Sequence, residues 1–212
     1  MKKTNFAALC LVLIGASKLV ALPTVSLSSV SGDSSGGLGG GAFSAATQFE
    51  GIYKVFCLES GVYMSLGTTY YYDWSNIVQS QNDAISMGSA LLIQNHALGL
   101  FGTNYAAWGG ATGLQQAFWY LENEAGGVNN SFVSYASGIL GASLMSDANG
   151  AYGAKVMNLW TNTNGTGDRQ SQIAYFGQPQ NPNGSVPDSG STLMLLSLAM
   201  GAVFCLSRRR QS

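Results

Sequence analysis

An apolar run at each end of the chain sets the limits of what can fold between them. At the N-terminus, "MKKTNFAALCLVLIGASKLVA" places Lys2 and Lys3 before an apolar stretch from Phe6 to Ala16, with small residues after it. That is the layout of a secretory signal peptide, so residues 1–21 are expected to be removed, and Cys10 with them. A lipid-anchored reading needs a cysteine directly after a small-residue cleavage site, whereas Cys10 lies inside the apolar stretch. At the C-terminus, "NPNGSVPDSGSTLMLLSLAMGAVFCLSRRRQS" passes from a polar stretch through an apolar segment, Leu193 to Leu206, into Arg208, Arg209 and Arg210. A spanning helix needs about 20 apolar residues, which 190–207 approaches once its small residues count. The three arginines act as a cytoplasmic stop signal and leave everything before Val186 on the outer side. On hydropathy alone the tail reads as a plain membrane anchor.

The order of parts in that tail carries a resemblance. Val186, Pro187, Asp188, Ser189 and Gly190, followed by the apolar segment and the arginine cluster, resemble the VPDSG-CTERM sorting signal. That signal is a relative of the PEP-CTERM signals handled by exosortases in bacteria that make extracellular polysaccharide. The resemblance covers Val186 to Arg210. It implies an exosortase-type membrane enzyme as partner, a cut near Val186 to Gly190, and a product that is exported, transiently anchored in the inner membrane, then released or attached to the outer surface. Cys205 would leave with the tail.

About 165 residues remain between the two signals, enough for one domain with its own core. From Leu22 to Asp188 the chain holds ten acidic residues against Lys54, Lys155 and Arg169. An acidic exported domain without a basic patch argues against nucleic acid or anionic lipid as a partner. One cysteine, Cys57, stays in this domain. No internal disulfide can form, although exported chains usually pair their cysteines. One Cys, one His and scattered carboxylates supply no metal-ligand spacing, so neither metal nor other cofactor is expected.

The expected organisation is a Gly/Ser-rich linker at 22–42, one folded unit at 43–176, a linker at 177–185 and the sorting segment at 186–210. "GIYKVFCLESGVYMSL" is rich in Val, Tyr and Phe between glycines and predicts one or two strands, with Cys57 at a strand end. "NDAISMGSALLIQNHALGL" has helical spacing, with Asn82 or Asp83 as the expected N-cap. "TGLQQAFWYLENEAGG" opens with Thr112 and Gln115 in a capping-box pattern and stops at Gly126 and Gly127. A third helix is expected in "SFVSYASGILGASLM", and closing strands in "AKVMNLW" and "SQIAYF". Helices among strands without a βαβ rhythm predict an α+β, β-rich domain.

Three readings of Cys57 follow. The plainest is a buried, inert sulfur, with Gln115 as a capping residue and Glu122 and Glu124 on a solvated helix face. The protein is then an unarmed structural or adhesive component of the extracellular matrix. A cysteine hydrolase would need a base, and the one histidine, His96, sits among apolar residues without a family signature around it. The third rests on a resemblance: "FCLES" and Gln115, Gln116, Ala117, Phe118 and Trp119 resemble the two signatures of bacterial surface thioester domains. There a cysteine between aromatic and aliphatic residues is joined to the glutamine of a Gln-x-Ala-aliphatic/aromatic-Trp motif. Phe118 stands where isoleucine is commoner, and Gln116 competes with Gln115 for the role. The resemblance implies a Cys57–Gln115 thioester that captures a surface amine or a polysaccharide hydroxyl once, without turnover. Phe56, Tyr70 to Tyr72, Trp108, Trp119 and Tyr120 are candidates to shield it from water.

Overall fold

Alternating apolar residues on six long strands close them into a barrel. The computed structural model describes residues 21–34 and 40–177. Its strands are β1 (Thr24–Ser34), β2 (Gly41–Thr47), β3 (Ile52–Cys57), β4 (Thr69–Ser75), β5 (Ile77–Val78), β6 (Asp83–Ala84), β7 (Ala154–Trp160) and β8 (Asp168–Tyr175). The barrel runs β1-β2-β3-β8-β7-β4 and returns to β1, with every neighbour antiparallel. Strands β5 and β6 form a separate small hairpin. Closure removes the exposed edges that would otherwise invite pairing with another chain.

The barrel has two hydrophobic layers because strand side chains alternate between faces. Val25, Leu27, Ala45, Tyr53, Val55, Tyr70, Tyr72, Met157, Leu159 and Ala174 pack together inside it. Phe56, Leu58, Val156 and Ile173 face the other way and join the helices in a second core. Strands β7 and β8 are therefore covered on both faces, which is why "AKVMNLW" is buried at nearly every position. Strand β4 lacks this outer cover and alternates between buried and partly exposed positions.

The covering layer is inserted between β6 and β7 as α1 (Met87–Ala97), α2 (Asn104–Ala107), α3 (Gly110–Leu121) and α4 (Ser131–Leu140). Ser86 caps α1 by accepting from Ser89 N–H, and Asn130 caps α4 by accepting from Phe132 and Val133 N–H. The fold is thus β-rich and mixed α+β, with four α-helices among the described residues where about three were expected.

Several expectations change. Residues 22–42 are not a linker in their described parts, because Val25 and Leu27 place apolar side chains in the barrel between serines that face outward. The cap of α1 is Ser86 rather than Asn82 or Asp83, since Asp83 belongs to β6 and Asn82 sits in its turn at φ 52°. Thr112 is the third residue of α3, whose N-cap is Gly109, so Thr112 and Gln115 form no capping box. Helix α3 stops at Leu121, ahead of Gly126 and Gly127. The signal peptide and the sorting segment lie outside the described residues, as do 178–185 of the second linker.

Glu122 and Glu124 are not a solvated face either. Glu124 accepts from Ser60 N–H at 2.9 Å and from Gln81 Nε2 at 2.5 Å, tying the end of α3 to two loops. Glu122 Oε1 accepts from Ser86 N–H at 3.1 Å and Ser86 Oγ at 2.9 Å, which fixes the start of α1. Burial raises the Glu122 pKa, against hydrogen bonds from Ser86 that lower it, and the nearby charge of Asp83 adds to the rise. The unfolded chain gives up this proton at lower pH, so the stability contributed is present in acid and is lost as pH rises through the raised folded value. Glu122→Gln keeps the oxygen that accepts from Ser86 and removes the charge. Its thermal midpoint should fall less across that pH window than that of the unsubstituted chain, as followed by circular dichroism.

Candidate functional site

The end of β3 brings Cys57 beneath α3, and the side chain that meets it there is Gln115. Cys57 follows Tyr53 and Val55 on the face lining the barrel, while Gln115 lies on the buried face of α3; their exposures are 0% and 1%. The Gln115 carboxamide is held by three backbone groups. Its Oε1 accepts from Cys57 N–H at 3.0 Å and from Gly41 N–H at 3.0 Å, and its Nε2 donates to the Cys57 carbonyl at 2.7 Å. Two N–H groups converging on one carbonyl oxygen at this distance have the geometry that stabilises an oxyanion.

Gly40 and Gly41 make that approach feasible. Gly41 has φ 140°, which L side chains rarely adopt. A Cβ at position 40 would lie 2.8 Å from Gln115 Cγ, 3.0 Å from Gln115 Cδ and 2.9 Å from the Trp119 ring. The backbone of residues 40 and 41 therefore lies directly against the carboxamide, and Trp119 closes over the same spot.

On the other side, Cys57 pairs in register with Gln172 of β8. Burial pushes the Cys57 thiol up to about 12, opposed by hydrogen bonds from the Gln172 amide and the Gly41 N–H, while the charge of Glu59 adds to the rise. Gln172 opens a buried polar chain: its Nε2 donates to the Gln170 carbonyl at 3.0 Å, and Gln170 Nε2 donates to the Glu59 carbonyl at 2.6 Å. The Glu59 carboxylate accepts from Ser171 N–H at 2.7 Å and from Ser80 Oγ. Glu59, Gln170, Ser171 and Gln172 are all at most 4% exposed.

Of the residues singled out in the sequence, Cys57 and Gln115 come together. Gln116, turned about 100° away along the helix, is only partly buried. Among the aromatic candidates, Trp119 flanks Gln115, and Phe56 packs on Phe118 at 5.3 Å beside the site. Tyr70 and Tyr72 belong to the barrel interior, Trp108 packs on Phe132 among the helices, and Tyr120 is 38% exposed. His96 meets Phe56 edge-on at 5.1 Å and lies near Tyr105. Gly40, Gly41 and the Gln170–Gln172 run were not singled out. The two glycines were hidden in a Gly/Ser composition, whereas three consecutive polar residues before "IAYF" were a readable sign of a polar interior. Among the described residues no group of three His, Cys, Asp or Glu could hold a metal ion, and no helix is long and apolar enough to cross a membrane.

The chain's tail is a separate functional element, defined by Val186 to Gly190, the apolar segment and the arginines. Residues 185–210 match the VPDSG-CTERM motif. The VPDSG-CTERM segment implies recognition by an exosortase-type enzyme and export toward the cell surface. No curated protein and no solved structure matches the chain.

Gly40→Ala tests the tight approach. The added methyl must displace Gln115 or Trp119, and overpacking of this kind costs about 1–3 kcal/mol. A urea titration should read that loss; an unchanged midpoint would mean that the contact relaxes freely.

Proposed function

We propose that this exported, exosortase-processed surface protein forms an internal thioester between Cys57 and Gln115 and uses it for covalent attachment to an amine or hydroxyl target. The observation that supports this most is the seating of the Gln115 carboxamide at Cys57, with Oε1 between two backbone N–H donors.

The reaction balances within the pair. Cys57 Sγ adds to Gln115 Cδ, and negative charge gathers on Oε1, where the N–H groups of Cys57 and Gly41 receive it. The Cδ–Nε2 bond then breaks, the carbonyl re-forms, and ammonia leaves carrying the thiol proton. An amine or hydroxyl later attacks Cδ, forming an amide or ester and returning the free thiol. Burial serves this purpose, because a thiol with a raised pKa is a poor nucleophile toward solutes yet needs only to react once with a neighbour already beside it. The same burial keeps water from the product. The protein is accordingly a single-turnover adhesive and not an enzyme.

A second reading has its own support. The Gln115 amide satisfies three buried backbone groups at once, so it also serves as a structural clamp in an unarmed matrix protein.

Mass spectrometry of the full-length chain distinguishes the two. The thioester reading expects a deficit of one ammonia, a Cys57–Gln115 cross-linked peptide after acid digestion, and a methylamine adduct on Gln115 with return of the free thiol. Cys57→Ala should abolish all three. A chain of full mass, with Gln115 intact and Cys57 free after unfolding, leaves the clamp. Sorting is read separately: protein recovered from the cell surface should lack peptides containing Arg208 to Arg210, and their retention would make the tail a plain anchor.

A further inference from the structure

The polar residue on the far side of Cys57 has no part in the chemistry described so far. Gln172 is fully buried and is the register partner of Cys57 across β3 and β8. Burying an amide in a barrel is costly unless every polar atom is paired. Nε2 is fixed by the Gln170 carbonyl at 3.0 Å, whereas Oε1 has no hydrogen-bond partner among the described residues. Leucine or methionine would fill the same space beside Met157 and Ala174 without that penalty. What the amide provides, and an apolar residue would not, is an N–H donor at the position in register with Cys57, on the same buried face as its sulfur.

We infer that Gln172 is the donor that holds and stabilises the Cys57 sulfur as it attacks Gln115, an inference that rests on the thioester reading. In the attack the sulfur passes through a thiolate-like state with no water to solvate it. The Gln172 N–H supplies that solvation from β8, while the Gly41 N–H stays on Gln115 Oε1 and Gln115 presents Cδ from α3. The bond formed is Sγ–Cδ and the bond broken is Cδ–Nε2 of Gln115, the thiol proton leaving on ammonia; Gln172 is unchanged at the end. Glu59 is the charged group acting on the thiol, and Gly41, Gln115 and Gln172 bring no titratable group to it.

The test follows the rate at which thioester forms. Full-length chain kept unfolded before Gln115 has reacted is folded by dilution at a series of pH values, quenched in acid, digested, and assayed for the Cys57–Gln115 peptide. Gln172→Leu should slow formation about 10- to 100-fold, the loss expected for a hydrogen bond to a charged atom. Asn95→Leu, which removes a buried amide on α1 that donates to Tyr135 away from the sulfur, should form thioester at close to the unsubstituted rate. Gln172→Glu keeps the shape and offers an O–H donor only while its new carboxyl is neutral. Its rate relative to the unsubstituted chain should therefore fall as pH rises through that carboxyl's titration, and this comparison stands if Gln172→Leu fails to fold. Formation by Gln172→Leu at the unsubstituted rate, equal slowing by both leucine variants, or a pH-independent ratio for Gln172→Glu would each overturn the role of Gln172 alone. No ammonia loss from the unsubstituted chain would overturn the thioester reading, and this inference with it.

Discussion

One carboxamide joins the two layers of this protein. Gln115 reaches from α3 into the mouth of the barrel and meets the N–H of Gly41, the N–H of Cys57 and the Cys57 carbonyl. These lie where β2 begins and β3 ends, so one side chain sets the distance between the helical cover and two strands. A buried amide that lost these partners would cost about 1–3 kcal/mol for each group left unsatisfied. The glycines at 40 and 41, the packing of Trp119 and the burial of Cys57 all depend on that amide being where it is. With the amide intact, Gln115 is a clamp; a bond to sulfur would expel Nε2 and with it the hydrogen bond to the Cys57 carbonyl, while Oε1 keeps its two backbone donors.

The surroundings differ on the two sides of the sulfur. Toward α3 the Cys57 backbone, not its sulfur, holds the Gln115 amide through its N–H and carbonyl. Toward β8 the sulfur faces Gln172 and the polar chain through Gln170 to Glu59. An inert cysteine in a core needs neither. Polar side chains next to Cys57 therefore interrupt a barrel otherwise filled by Val, Leu, Tyr and Met.

Much of this was legible in the sequence, and the gaps have physical causes. Strands β3, β7 and β8 stood out because Val, Phe, Ile and Trp cluster there, and Cys57 and Gln115 because short motifs surround them. Strand β1 was missed because serine fills its outward positions, so its composition reads as linker although Val25 and Leu27 alternate as a strand demands. The capping-box expectation failed for a related reason. Thr112 and Gln115 have the right spacing for a helix start, but the helix begins two residues earlier, and the amide is drawn to the barrel by contacts that local spacing does not encode. Glu122 and Glu124 have the look of a solvated pair, and only the segments that fold back onto them give their carboxylates fixed partners.

The order of the strands has a consequence for the timing of export. Strand β3 is threaded early, but its barrel neighbour β8 comes more than a hundred residues later, after all four helices. A chain crossing the membrane from its N-terminus therefore delivers Cys57 long before β8 can cover it or Gln172 can touch it. Until Val55 pairs with Ala174, the sulfur waits as an ordinary exposed thiol in an oxidising space, without a second cysteine in the domain to capture it. Having no internal partner keeps that thiol from being diverted within its own domain until translocation is almost complete, so the site is assembled among the last parts of the molecule.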